Sequence, residues 1–146
     1  CRARGCFRRS GSVPHLLCKR CRRPLTRDCR WGGQEDYNRL AEVEAAAVAP
    51  GAMVRLEDED RVVVTGPGGA VGTKLYSPAG SIATNPGDLA PEALRSAGID
   101  NGCCGSDGLD GPNRACVCGL RVATQWSDCW TQAEIRFLPG AVIIQD

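Results

Sequence analysis

Cys18-Lys19-Arg20-Cys21, followed by Arg22-Arg23-Pro24-Leu25-Thr26, sets two thiols two residues apart in a strongly basic stretch. A free thiol is reactive and must be buried, bonded or ligated, and this spacing is too tight for an ordinary bridge within the pair. Outward from it, ten cysteines fall into two blocks of five. Cys1, Cys6, Cys18, Cys21 and Cys29 form the first; Cys103, Cys104, Cys116, Cys118 and Cys129 form the second, and no cysteine lies between Cys29 and Cys103.

The chain has 146 residues, 42% hydrophobic but only 5% aromatic, with 18 glycines and nine prolines. Such a chain makes short elements and many turns, and small turn-rich modules need a staple, either disulfide or metal. No stretch approaches the ~20 apolar residues of a membrane span, and the visible start lacks an apolar signal-peptide core. An intracellular, cytoplasmic location is therefore expected; a secreted one is the alternative if the cysteines form disulfides.

The net charge of +1 conceals an asymmetry. Residues 1–30 carry nine Arg and one Lys against the single acid Asp28, and the remainder is acidic. A basic end of this kind suits phosphate or another acidic surface; the competing reading is that the two parts neutralise one another within the fold.

The pattern predicts an α+β fold with a small β module at each end. Residues 1–34 form the first module, and Glu35-Asp36 then open a central helix over 35–49, with an apolar stripe that includes Leu40, Val43 and Val48. Ala52 to Leu56 and Arg61 to Thr65 read as a β-hairpin whose tip is Glu57-Asp58-Glu59-Asp60. Residues 66–87 read as loop, and a short helix runs from Pro91 to just before Gly98. The second module, 101–146, ends in a hairpin of Glu134 to Leu138 and Ala141 to Gln145. The two ends are free to pack into one domain with the 35–100 segment. Sliding the second block onto the first by 98 positions superposes Cys6 on Cys104 and Cys18 on Cys116, together with Pro14, Arg23 and Thr26 on Pro112, Arg121 and Thr124.

With Cys1 and Cys6 upstream, the first block reads C-x4-C-x11-C-x2-C. Two close pairs a hairpin apart are what a tetrahedral four-thiolate site needs. This resembles zinc-ribbon and zinc-knuckle modules in general, over about 30 residues at each end. The resemblance implies about two zinc ions. Cys6, Cys18, Cys21, Cys104, Cys116 and Cys118 are the expected ligands. The remaining places stay open: the knuckle pattern favours Cys1 and Cys103, whereas the internal match favours Cys29 and Cys129. Cys103 and Cys104 are adjacent, so both can serve one ion only through an unusual turn, which Gly102 and Gly105 would permit. A secreted disulfide framework is the alternative, and ferredoxin spacings are missing. His15, three residues before Cys18, is the single histidine and is expected to be a loop residue.

Other motifs carry little. Gly66-Pro67-Gly68-Gly69-Ala70-Val71-Gly72-Thr73-Lys74 fails both the phosphate-loop order and the dinucleotide fingerprint and reads as a glycine-rich turn between strands. Asp107 to Asn113 lacks the ligand alternation of a calcium loop. No catalytic constellation is visible, so no enzyme is expected. Arg8, Arg9, Arg20, Arg22, Arg23, Arg27 and Arg30, with Phe7 and Trp31 for stacking, make a candidate nucleic-acid surface. The expected function is thus a non-enzymatic, zinc-stabilised protein contacting nucleic acid through its basic end; the alternatives are an assembly subunit that docks protein partners through its zinc modules and acidic hairpin, and a secreted, disulfide-stapled factor.

Overall fold

Strands, not helices, take up the apolar runs of this chain. A computed structural model describes residues 13–146, of which 41% are strand and 7% helical, with no helix of seven or more residues. Eleven strands follow in order: β1 (His15–Cys18), β2 (Arg30–Trp31), β3 (Ala52–Leu56), β4 (Asp60–Thr65), β5 (Val71–Ser77), β6 (Ser81–Thr84), β7 (Leu94–Ser96), β8 (Arg114–Cys116), β9 (Arg121–Trp126), β10 (Glu134–Phe137) and β11 (Val142–Gln145). Seven of them form one sheet in the order β2-β3-β6-β10-β9-β8-β7, while β1 pairs with β11 and β4 with β5.

The α+β expectation is corrected here. Over residues 35–49 only a 3-10 turn, Gln34–Asp36, is helical. Asp36 is held by Arg30 and by the Gly33 N–H, and the Asn38 side chain accepts from the Leu40 N–H. Backbone groups further along bond out of the segment: the Glu44 N–H donates to Thr131 and the Ala47 N–H to Ala133. These partners outbid the i→i−4 ladder, and the supposed apolar stripe is unburied, with Leu40 89% and Val43 55% exposed. The short helix after Pro91 is also absent. Leu94, Arg95 and Ser96 pair instead with Cys116, Ala115 and Arg114.

Both predicted hairpins are re-paired. β3 lies between β2 and β6, and β4 turns through the glycines at 66–69 to meet β5, so the glycine-rich segment is indeed a turn between strands. Strands β5 and β6 fall in the stretch read as loop. At the C-terminus the turn at Pro139-Gly140 sends β11 away to β1 while β10 stays between β6 and β9.

β10 explains the layering. All four of its residues are buried, so both faces of the sheet are covered there. Ile135 and Phe137 face the main apolar cluster with Leu16, Leu25, Met53 and Val122. Glu134 and Arg136 face the other side, where Val48, Ala52, Val54 and Ala83 form a smaller cluster. Arg136, only 2% exposed, donates to Glu134, Asp60, Ser77 and the Tyr37 hydroxyl. Its guanidinium also lies 4.7 Å from the Trp126 ring centroid and 5.3 Å from that of Tyr76. Buried charge is tolerated only when paired and hydrogen-bonded in this way. The network also fastens the β4–β5 ribbon to the sheet, through Asp60 and Ser77. The acidic tip thus contributes one partly buried ion-pair partner, Asp60.

Candidate metal centres

Two hairpin tips meet at one edge of the main apolar cluster. In the first, β1 ends at Cys18 and the chain turns back through a tight loop. The Arg22 N–H donates to the Cys18 carbonyl at 2.9 Å, and the Cys18 N–H donates to Arg23 at 2.9 Å. In the second, β8 ends at Cys116, the Gly119 N–H donates to the Cys116 carbonyl at 2.8 Å, and the Cys116 N–H donates to Leu120 at 2.9 Å. Each turn is closed by a residue in the left-handed region, Arg22 at φ +64° and Gly119 at φ +92°. The 98-position offset seen in the sequence brings Cys18 onto Cys116, each at the end of a strand, but the first turn is one residue longer, so Cys21 does not fall on Cys118.

These tips bring together Cys18, Cys21, Cys116 and Cys118, whose sulfurs all lie within 4.8 Å of one another. Cys18 and Cys118 are 3.6 Å apart, and Cys21 and Cys116 3.5 Å. A tetrahedral zinc with Zn–S bonds of ~2.3 Å has an S–S edge of ~3.8 Å, so the four thiols fit such an ion with small adjustment. The four come two from each block, across the length of the chain, and not four from one block as the C-x4-C-x11-C-x2-C reading requires. Cys1 and Cys6 lie outside the described residues.

The surroundings act in opposite directions on two of these thiols. Burial pushes the Cys116 thiol up to about 12, whereas the Leu120 N–H, directed at its sulfur, lowers Cys118 to about 7. A metal ionises both outright, because a coordinating thiol is deprotonated. An ion held by all four thiolates would have no open coordination position.

A second group comprises Cys103, Cys104, Cys129 and Asp128. Cys104 thus sits apart from Cys116 and Cys118. Both groups can hold a metal ion. Asp128 was not signalled by spacing, since a carboxylate next to a cysteine is unremarkable in a sequence. Its role depends on how the loop at 103–105 packs against it.

Cys29 joins neither group. It is fully buried in the main apolar cluster, and burial, with the charges of Asp88 and Asp28, raises its thiol to about 11. It behaves as a small core residue. His15 is also outside both sulfur groups, with Nδ1 3.6 Å from Asp28.

Among the candidate nucleic-acid residues, Arg20, Arg22, Arg23 and Arg27 are exposed, as is Lys19. Among the described residues, no carboxylate lies within 4.0 Å of any of these five. Arg30 differs: it makes a two-pronged pair with Asp36, at 2.9 and 2.6 Å. Trp31 is 39% exposed but carries the Arg55 guanidinium 5.2 Å from its ring centroid. Arg8, Arg9 and Phe7 lie outside the described residues. No described helix is long and apolar enough to cross a membrane. In comparisons with known proteins, no family model, no curated protein and no solved structure matches this chain.

Proposed function

We propose that this chain is a non-enzymatic, zinc-stabilised binding protein that contacts the phosphates of nucleic acid through its first knuckle. One observation carries the reading. Lys19, Arg20, Arg22 and Arg23 crowd the tip of the turn that presents Cys18 and Cys21, and none has a carboxylate partner among the described residues. Elsewhere Arg30, Arg39, Arg61, Arg114 and Arg136 are all paired. Among the described residues Arg27, Arg55, Arg95 and Arg121 also lack a carboxylate partner, so what marks this group is that four unpaired cations share one turn. The knuckle's hydrogen bonds and the metal fix the loop, so binding phosphate orders little additional chain. Arginine forks suit phosphate oxygens.

Fluorescence anisotropy with a labelled DNA duplex across a salt series tests the reading. Four phosphate contacts give a slope of log K against log salt of about −3.6, and replacing Arg20, Arg22 and Arg23 by serine reduces it to about −0.9. Absent or salt-insensitive binding by the metal-loaded chain refutes it. The docking alternative has its own support in the β4–β5 ribbon, where Val63 is 71%, Val71 73% and Leu75 44% exposed. A partner that binds there would be lost on substituting Val63 and Leu75 and would be indifferent to salt.

A further inference from the structure

Adjacent residues in extended backbone project to opposite sides, yet Cys103 and Cys104 both reach Cys129. Their sulfurs lie 3.2 and 2.9 Å from the Cys129 sulfur and 3.2 Å from one another. The flanking glycines make this possible. A Cβ on Gly102 would stand 1.8 Å from the Gly105 carbonyl oxygen, and one on Gly105 would stand 2.5 Å from that of Ser127. No side chain fits at either position, so the turn that aims both thiols the same way is built into the backbone.

Asp128 secures the turn from beneath. It is 4% exposed, and its Oδ1 accepts from the Cys104 N–H at 2.9 Å and from the Cys103 thiol at 3.5 Å. Among the described residues no Lys, Arg or His pairs with it. The Asp128 carboxylate thus faces three thiols with hydrogen bonds but no counter-cation among the described residues, and a bound cation would balance its charge. A disulfide would use two of the sulfurs and leave the third beside it as an attacking thiol.

We infer that Cys103, Cys104 and Cys129 form a second, exchangeable site for a thiophilic d10 cation of the zinc class, with Asp128 as its positioning residue. Cys103 and Cys104 are exposed and Cys129 is half-buried, whereas the first centre has two buried thiols, Cys18 and Cys116, beside the half-buried Cys118 and the exposed Cys21. With Asp128 Oδ1 engaged by the Cys104 N–H as a positioning group and not a ligand, three thiolates at the surface leave a coordination position facing solvent, through which a chelator or an accepting protein can take the ion. The sulfur separations are shorter than the ~3.8 Å edge of a tetrahedral zinc–thiolate site, and small rotations about the Cα–Cβ bonds of the three cysteines widen them without moving the backbone. The inference is independent of phosphate contact at the first knuckle.

The test uses the reduced, zinc-loaded chain, a series of chelators of rising strength, and thiol alkylation mapped by mass spectrometry. Two ions per chain are expected. The weaker chelators should remove one of them and expose Cys103, Cys104 and Cys129 to alkylation, while Cys18, Cys21, Cys116 and Cys118 stay protected. Asp128→Asn should weaken the labile site roughly 10–100-fold and leave the other ion in place. The wild-type alkylation pattern stands even if that variant folds poorly. A chain with one ion, in which these three thiols react equally fast before and after chelation, overturns the inference. So does recovery of a Cys104–Cys129 disulfide, read as a loss of two hydrogens, in place of the second ion.

Discussion

Replacing Cys116 by serine removes one sulfur from the centre that ties the two ends of the chain together, and the cost can be worked from the topology. The centre joins Cys18 to Cys118 and Cys21 to Cys116, across 100 and 95 positions. A cross-link closing a loop of that length lowers the entropy of the unfolded chain by the equivalent of about 4.7 kcal/mol at 25 °C. Domains of this size have a total stability of about 5–15 kcal/mol, so the link is a large fraction of what is available. At about 3 °C per kcal/mol for a domain of this length, Cys116→Ser should melt roughly 14 °C below the wild type and carry one zinc fewer. Cys29→Ala provides the control, because Cys29 is just as buried but has no place at either centre. It loses one small apolar group, about 1 kcal/mol or 3 °C, and keeps its full metal content. Thermal melts with metal analysis on the same preparations read both quantities. If Cys116→Ser retains its zinc and melts within a few degrees of the wild type, the cross-block centre is refuted. Loss of an ion from Cys29→Ala would refute the ligand assignment.

Two further outcomes follow from the charged groups. Arg136→Met leaves Glu134, which is fully buried, without its cation, and should cost about 3–5 kcal/mol in urea unfolding. Adding Glu134→Gln to that variant should recover a substantial part; a double variant no better than the single would show that Arg136 acts by packing on Trp126 and Tyr76 alone. The Arg30 guanidinium, with the Gly33 N–H, holds the Asp36 carboxyl down at about 2. Because the folded value lies below the ordinary carboxylate range, the stabilisation is fully present above about pH 4 and fades as the pH falls towards 2. Asp36→Asn should remove this part of the acid dependence of the melting temperature and change nothing near neutrality beyond a constant offset; an unchanged acid profile would show that the pair does not form in solution.

Local signals in the sequence identified turns and thiols well. Pro139-Gly140 and the glycines at 66–69 both break the chain where expected, and the stretches at 52–56, 61–65, 134–138 and 141–145 are strands or contain them. The partners of those strands were not legible. Two neighbouring strands with a polar connection read as a hairpin because loop closure favours nearby pairing, yet β3 and β4 part company and each pairs elsewhere. The helix over 35–49 failed for a related reason. Its apolar periodicity was genuine, but propensity is a weak prior beside specific partners, and Arg30, Thr131 and Ala133 supplied those from outside the window.

What the sequence determined by itself is that the cysteines around C-x2-C and C-x-C had to be buried, bonded or ligated, and that spacing makes a bridge within either pair poor. It also determined that the arginines cluster beside the first pair. Only the tertiary structure decided which pairs share a centre. The sheet brings β8 and β9 beside the β1 turn, so thiols about a hundred residues apart become neighbours while Cys29, eight residues from Cys21, is sealed in the core. Sequence spacing measures distance along the chain, whereas a metal responds to distance through space.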